Sequence, residues 1–398
     1  MAVEFEWRFD GGASDEQPAE PARRRWRSWL LRGALIAGVL GLVVFVWWRA
    51  RQAALAQLEQ EVQAVAELEV QALLRGDLDL YLSLQDPDDP VWIAAREPQV
   101  HLGNILPAPA PGLSATLPIT MENPHVVGDR ARVEWVRLAG RPGDAQLPFR
   151  GVSFYRLAAD GRWVHTAPDP DYGGRTLVWT GARNSLAGPI VHAELMERLA
   201  PELERTAQAF CEIAACSADT HFTLALTGTL ETPADAVETF PAPYLVGAPE
   251  GADAEALWRG ALKAAAVDTM LYQVVGLPAG GLLGSGLRAW VHQTLGTIPP
   301  HPTDLTLLRE TLAEGRLVGL DALWQGDVPS DWQSLAEEEA IWVARFVERR
   351  YDREGVTRLL EALAEAPSFD ALTRSALGVD AVTFEQQWLE YLQGELIQ

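Results

Sequence analysis

Residues 33–48 read GALIAGVLGLVVFVWW, without a charge. Trp29, Leu30 and Leu31 lengthen the apolar run past Arg32, whose guanidinium can snorkel to lipid headgroups. A run of about 20 apolar residues crosses a roughly 30 Å hydrocarbon core, so 29–48 is predicted to be a transmembrane helix. Trp26 and Trp29 at one end, and Trp47 and Trp48 at the other, fit the interfacial aromatic belts. Arg23, Arg24, Arg25, Arg27 and Arg32 lie upstream, whereas only Arg49 and Arg51 lie downstream before Glu59. That asymmetry places the N-terminus in the cytoplasm and the remainder outside the plasma membrane. A cleaved signal peptide or a buried core helix are the competing readings; the run is long for a signal h-region.

Outward on the N-terminal side, residues 1–28 form a cytoplasmic tail expected to be disordered, whose first 22 residues are acidic, rich in Gly, Pro and Ala, and without periodicity. Phe5, Trp7 and Phe9 alternate within it, a pattern that could add as a strand to a partner. The whole chain has 398 residues and a net charge of -23, which argues against a nucleic-acid partner. Lys263 is the single lysine, and this Arg-for-Lys bias with abundant Ala and Leu points to a GC-rich bacterial genome.

Outward on the other side, Leu55, Leu58, Val62, Val65, Leu68 and Ala72 recur at helical spacing over 50–75, and Gly76-Asp77 ends the helix. Short helices are expected at 77–85 and 90–97. The period then changes. Segments 113–122, 126–139, 146–159 and 161–166 alternate apolar and polar residues, with turns at Gly128-Asp129 and Asp160-Gly161. Helices followed by a four-stranded antiparallel meander make an α+β fold. This order, led by LLRGDLDLYLSLQD at 73–86, resembles the cystatin-like cone of the nuclear transport factor two and SnoaL-like families over residues 55–167, within a domain expected at 49–167 that includes the juxtamembrane helix. Such domains bind small ligands or dimerise. His101, His125 and His165 fall here without a paired acid at a readable spacing, and are read as surface or satisfied histidines.

Residues 167–175, APDPDYGGR, read as a linker, and the D-x-D-x-D-G spacing of a calcium loop is absent. An amphipathic helix is predicted over 190–214 and a strand over 220–227. Cys211 and Cys216, the only cysteines, lie between them. An exported domain meets an oxidising environment, which favours a disulfide. Residues five apart on a continuous helix stand about 8 to 9 Å apart, too far to bridge, so the bond requires the helix to end between them. Two buried free thiols are the alternative.

Helices are predicted at 253–276, 282–295, 304–314, 335–351, 353–365, 368–376 and 381–395. Within a domain expected at 175–398, residues 241–395 resemble the peptidase MA-like, or gluzincin, metallopeptidases. PYLVG at 243–247 reads as the family's edge strand ahead of a long Ala-rich helix. LLGSGLRAW at 282–290 has the shape of its W-L-S-E-G-L-A-E-Y stretch. The segment 341–392 is similar to its helical tail, with an ALG step and a final helix ending in Trp and Tyr. The resemblance implies a mainly helical C-terminal domain with a substrate groove lined by Asp268, Ser285, Arg288 and Trp290.

A zinc peptidase needs two His at i and i+4, an adjacent Glu and a downstream carboxylate. The corresponding helix reads ALKAAAVDTMLYQ, residues 222–291 contain no His, and Ser285 and Ala289 stand where the family has Glu. No metal, cofactor or catalytic residue is therefore expected. The glycines at 280–286 do not meet a phosphate-loop pattern, and Ser285 lacks the G-x-S-x-G context. Glu337, Glu338 and Glu339 read as solvated charge at a helix start. The expected function is a membrane-anchored, catalytically inactive peptidase-like protein that binds a peptide or protein. A transmembrane regulator whose tail holds a cytoplasmic factor, in the manner of an anti-sigma protein, and a hydrolase of another mechanism are the alternatives.

Overall fold

The computed structural model describes residues 22–101, 107–228, 238–276, 281–298 and 305–396. The chain forms two compact units, residues 1–60 and 61–398. Helix α1, Ala22–Arg75, carries the apolar run. Its apolar run is wholly exposed, so by length and composition α1 can cross a membrane, and a signal sequence near an N-terminus has the same length and composition. Trp29, Trp47 and Trp48 are exposed, and Arg51 lies over the Trp47 ring. The side chains of Arg23, Arg24 and Arg25, and the tail before them, lie outside the described residues.

In the second unit the end of α1 buries Val62, Ala66, Glu69, Val70 and Leu73, while Leu68 is exposed. The buried stripe thus passes through a carboxylate that an apolar count skips. Gly76, with φ +66°, ends the helix as its N–H reaches the Leu73 carbonyl. Asp77 then caps α2, Leu78–Ser83, and α3 follows at Pro90–His101. Strands β1 (Ser114–Val127), β2 (Arg130–Gly140), β3 (Leu147–Leu157) and β4 (Trp163–Thr166) form the expected antiparallel meander in that order. Gly151 in β3 lets the Trp135 indole of β2 lie across it; a Cβ there would stand 2.0 Å from the ring.

A second sheet follows directly. Strands β5 (Thr176–Thr180) and β6 (Asn184–Pro189) pair antiparallel, and α4 (Ala193–Ile213) crosses to β7 (Phe222–Thr227), parallel to β6. Strand β8 (Glu238–Pro241) pairs parallel to β7 and is the outer strand of the order β5-β6-β7-β8. Helix α4 ends at Ile213, Ala215 takes φ +48°, and the Cys216 N–H returns to the Cys211 carbonyl. The chain therefore turns between the cysteines, as a bridge requires, and Cys211 and Cys216 lie at disulfide distance with Cα atoms 4.7 Å apart.

The expected strand at 243–247 is instead a helical turn, α5, Pro243–Val246. Pro243 at its first position presets a helical φ, and Gly247 at φ +103° stops it. The two residues after it, Ala248–Pro249, form β9, which pairs with Phe149 and Arg150 of β3. The buried Arg137 guanidinium of β2 donates to the carbonyls of Pro107 and Val246, and burial brings its pKa down to about 10. Helices α6 (Ala252–Val275), α7 (Gly281–Thr294), α8 (Leu305–Ala313), α9 (Leu320–Gln325), α10 (Gln333–Leu363), α11 (Phe369–Leu377) and α12 (Ala381–Leu396) complete the chain. The two helices expected at 335–351 and 353–365 run together as α10 across a kink at Asp352, whose φ is +61°. One apolar core extends from Ala139 and Phe149 of the first sheet through α4, α6 and α7 to Leu392 of α12.

Candidate functional site

Helix α7 shows how the predicted site is placed. Leu283, Gly286, Leu287, Trp290 and Val291 are buried, so the intervening Ser285 and Arg288 face outward one turn apart. Gly286 lies against α10, where a Cβ would meet the Ala340 backbone at 2.3 Å. On α6, Asp268, Thr269 and Tyr272 form the neighbouring outward edge, and Tyr272 is 66% exposed. These side chains, with Leu271, Gly284 and Glu238 from β8, line an open groove of about 360 Å³. The structure thus brings together three of the four expected lining residues. Trp290 is elsewhere: it is 3% exposed in the core, and its Nε1 donates to Glu348.

The groove floor is an ion pair. The Arg288 guanidinium donates through Nε and Nη2 to both oxygens of Asp268. His292, one further turn along α7 and 1% exposed, places Nε2 2.8 Å from Asp268 Oδ1 and Nδ1 2.8 Å from the Thr297 hydroxyl. Burial alone would raise the Asp268 carboxyl, but the hydrogen bonds from Arg288 and His292 outweigh it and bring its pKa down to about 2. His292 has thus gained an acid partner that lies 24 residues away, a separation with no motif. The Asp268 carboxylate is engaged by two donors and is no general base in this arrangement. Ser285 Oγ reaches only the Gly281 carbonyl, at 3.5 Å, so no described residue activates it as a nucleophile.

A second cluster lies under the first sheet, and sequence reasoning missed it. His165 Nδ1 stands 2.6 Å from Glu69 Oε1, with both residues buried. Tyr155 donates to Glu69 Oε2 and Gln85 to Oε1, each at 3.2 Å, while Trp92 donates to the Gln85 carbonyl oxygen. The imidazole is stacked on Tyr155 and meets Trp92 edge-on. Burial would raise Glu69; the charge and hydrogen bond of His165 bring it below its ordinary value instead. The enclosed space is about 40 Å³, room for water rather than an organic ligand. His165 is therefore a satisfied core histidine. The signal that would have found its partner is Glu69 itself, an acid in register with the apolar face of α1.

Glu339 departs from its expected role as solvated charge. It is fully buried, with both oxygens on the Val318 N–H at 2.9 and 3.1 Å. Among the described residues no three His, Cys, Asp or Glu side chains converge as a metal-holding group. Compared with family models, curated proteins and solved structures, the chain matches none of them.

Proposed function

We propose that this is a membrane-anchored protein, with its N-terminus cytoplasmic and residues beyond the span extracytoplasmic, that holds an extended peptide segment of a partner protein beside β8. In this reading the C-terminal region is a peptidase MA-like scaffold without its metal ligands, and residues 49–167 are a SnoaL-like, cystatin-like companion domain. The observation that carries it is the meeting of an outer strand with a groove. No described strand pairs beyond β8, and its Glu238 lines the same groove as Asp268, Ser285 and Arg288. An outer strand offers backbone donors and acceptors for strand addition, and the groove beside it takes alternate side chains. The Asp268–Arg288 pair presents polarity there without a free base.

The test is selection of displayed random peptides on the full chain in lipid nanodiscs, followed by binding to a Ser285→Trp variant whose indole fills the groove. Enrichment of extended sequences that lose about 10-fold or more in affinity for the variant is expected. No enrichment over empty nanodiscs, or binding that ignores Ser285→Trp, overturns the proposal. Stoichiometric zinc with casein cleavage by the full chain would overturn the inactive-scaffold part of it.

A further inference from the structure

The face of the first sheet opposite the Glu69–His165 cluster carries a different groove. Its pairing register sets His125, Arg132, Phe154 and Thr166 in one row across β1 to β4. Two positions along the strands, Val127, Arg130 and Arg156 stand in the next row on the same face. The loop after β4 forms the far wall, where Tyr172 packs edge-on against Phe154 at 5.0 Å. The groove is open to solvent and holds about 520 Å³, and small-ligand sites span roughly 300 to 1,000 Å³.

The groove lining carries three arginines and two aspartates, Asp169 and Asp171. Its three arginines are not equivalent. Arg156 is held by Asp86 and Asp88, and Arg130 reaches Asp169 at 3.0 Å. The Arg132 guanidinium lies over the Tyr172 ring at 5.6 Å from its centroid and pairs with no carboxylate among the described residues. An exposed fork of donors thus stands beside the apolar surface of Val127, Phe154 and Tyr172. That pairing of surfaces is complementary to a molecule with an apolar body and one anionic end.

We infer that this groove binds a small organic carboxylate, its apolar body against Phe154, Tyr172 and Val127 and its carboxylate on Arg132. A peptide strand is disfavoured because strand addition needs a free backbone edge, and β2 and β3, which form the middle of the groove floor, are each paired on both sides. The site is separate from the α6–α7 groove and does not depend on it.

The experiment is isothermal titration of 4-phenylbutyrate into the full chain in nanodiscs, with empty nanodiscs as the blank. The neutral 4-phenylbutanol, of nearly the same shape, is the first comparison, and Arg132→Gln is the second. Arg162→Gln is the control, since Arg162 lies in the β3–β4 turn and pairs with Asp160. Binding of the carboxylate is expected, weakened about 10-fold or more both by Arg132→Gln and by loss of the charge, and unchanged by Arg162→Gln. No saturable binding up to about 10 mM overturns the inference, as does equal affinity for the alcohol or for the Arg132→Gln protein.

Discussion

Glu339 is the last of three consecutive glutamates and the one the fold takes inside, where a single backbone N–H, that of Val318, serves both oxygens. Burial therefore pushes its pKa from 4.5 up to about 8, against only partial help from Val318. An acid whose folded pKa is raised leaves stability whole below its unfolded pKa and erodes it as pH rises towards the folded value. The window here is pH 4.5 to 8, and the full erosion corresponds to about 5 kcal/mol. Glu339→Gln keeps an acceptor for Val318 and removes the titration. Urea denaturation should find the variant progressively more stable than the parent between about pH 5 and 8; a constant difference across that range would refute the assignment. Residue-scale features of this kind are the least legible in the sequence. Periodicity counts apolar side chains, so it passes over Glu69 and Glu339, which occupy core positions because His165 or Val318 waits there from a distant segment. Asp268, Ser285 and Arg288 are expected only through the peptidase resemblance, and they fall on an outward helix edge that repeats every third or fourth residue. Trp290 falls on the opposite phase of that repeat.

At the scale of elements, the contact between α7 and α10 rests on the absence of a side chain at Gly286. A methyl group there would meet backbone atoms of Ala340, which cannot rotate away. Gly286→Ala should cost about 1 to 3 kcal/mol in denaturant titration. Gly394, exposed in α12 with open space where a Cβ would stand, makes the contrasting case. Gly394→Ala should stabilise by about 0.5 to 1 kcal/mol, since helix propensity is then the only change. Equal effects of the two substitutions would show that the α7–α10 approach is looser than described. Long elements with a steady period, such as α4, α6 and α10 and the β1–β4 meander, are readable in the sequence. Strand β6 is not. NSLAGP holds little intrinsic strand preference, and at Gly188 a Cβ would stand 2.4 Å from the terminal methyl of Met196. PYLVG shows the opposite error, a short apolar run whose leading proline sets a helical turn.

For the whole molecule the first question is which side of the membrane each end occupies. The arginine asymmetry about 29–48 argues for a cytoplasmic N-terminus. Single cysteines introduced as Ser14→Cys and Asp160→Cys, in a Cys211→Ser/Cys216→Ser background, test it with a membrane-impermeant maleimide. Labelling of position 160 in intact cells, and of position 14 only after lysis, is expected. The reverse pattern refutes the orientation, and loss of the tail together with the apolar run 29–48 from the mature chain identifies a signal sequence instead.

The short strand β9 also sets a timetable. Its two residues close the β3 ladder, Glu250 meets Arg150 across 100 positions, and Val246 supplies a carbonyl to the buried Arg137. A ribosome adding about 5 to 20 residues per second takes some 5 to 20 s to cover that interval. Through it the nascent first sheet waits with Phe149 uncovered and a guanidinium short of an acceptor. The early part of this chain is thus finished by its late part.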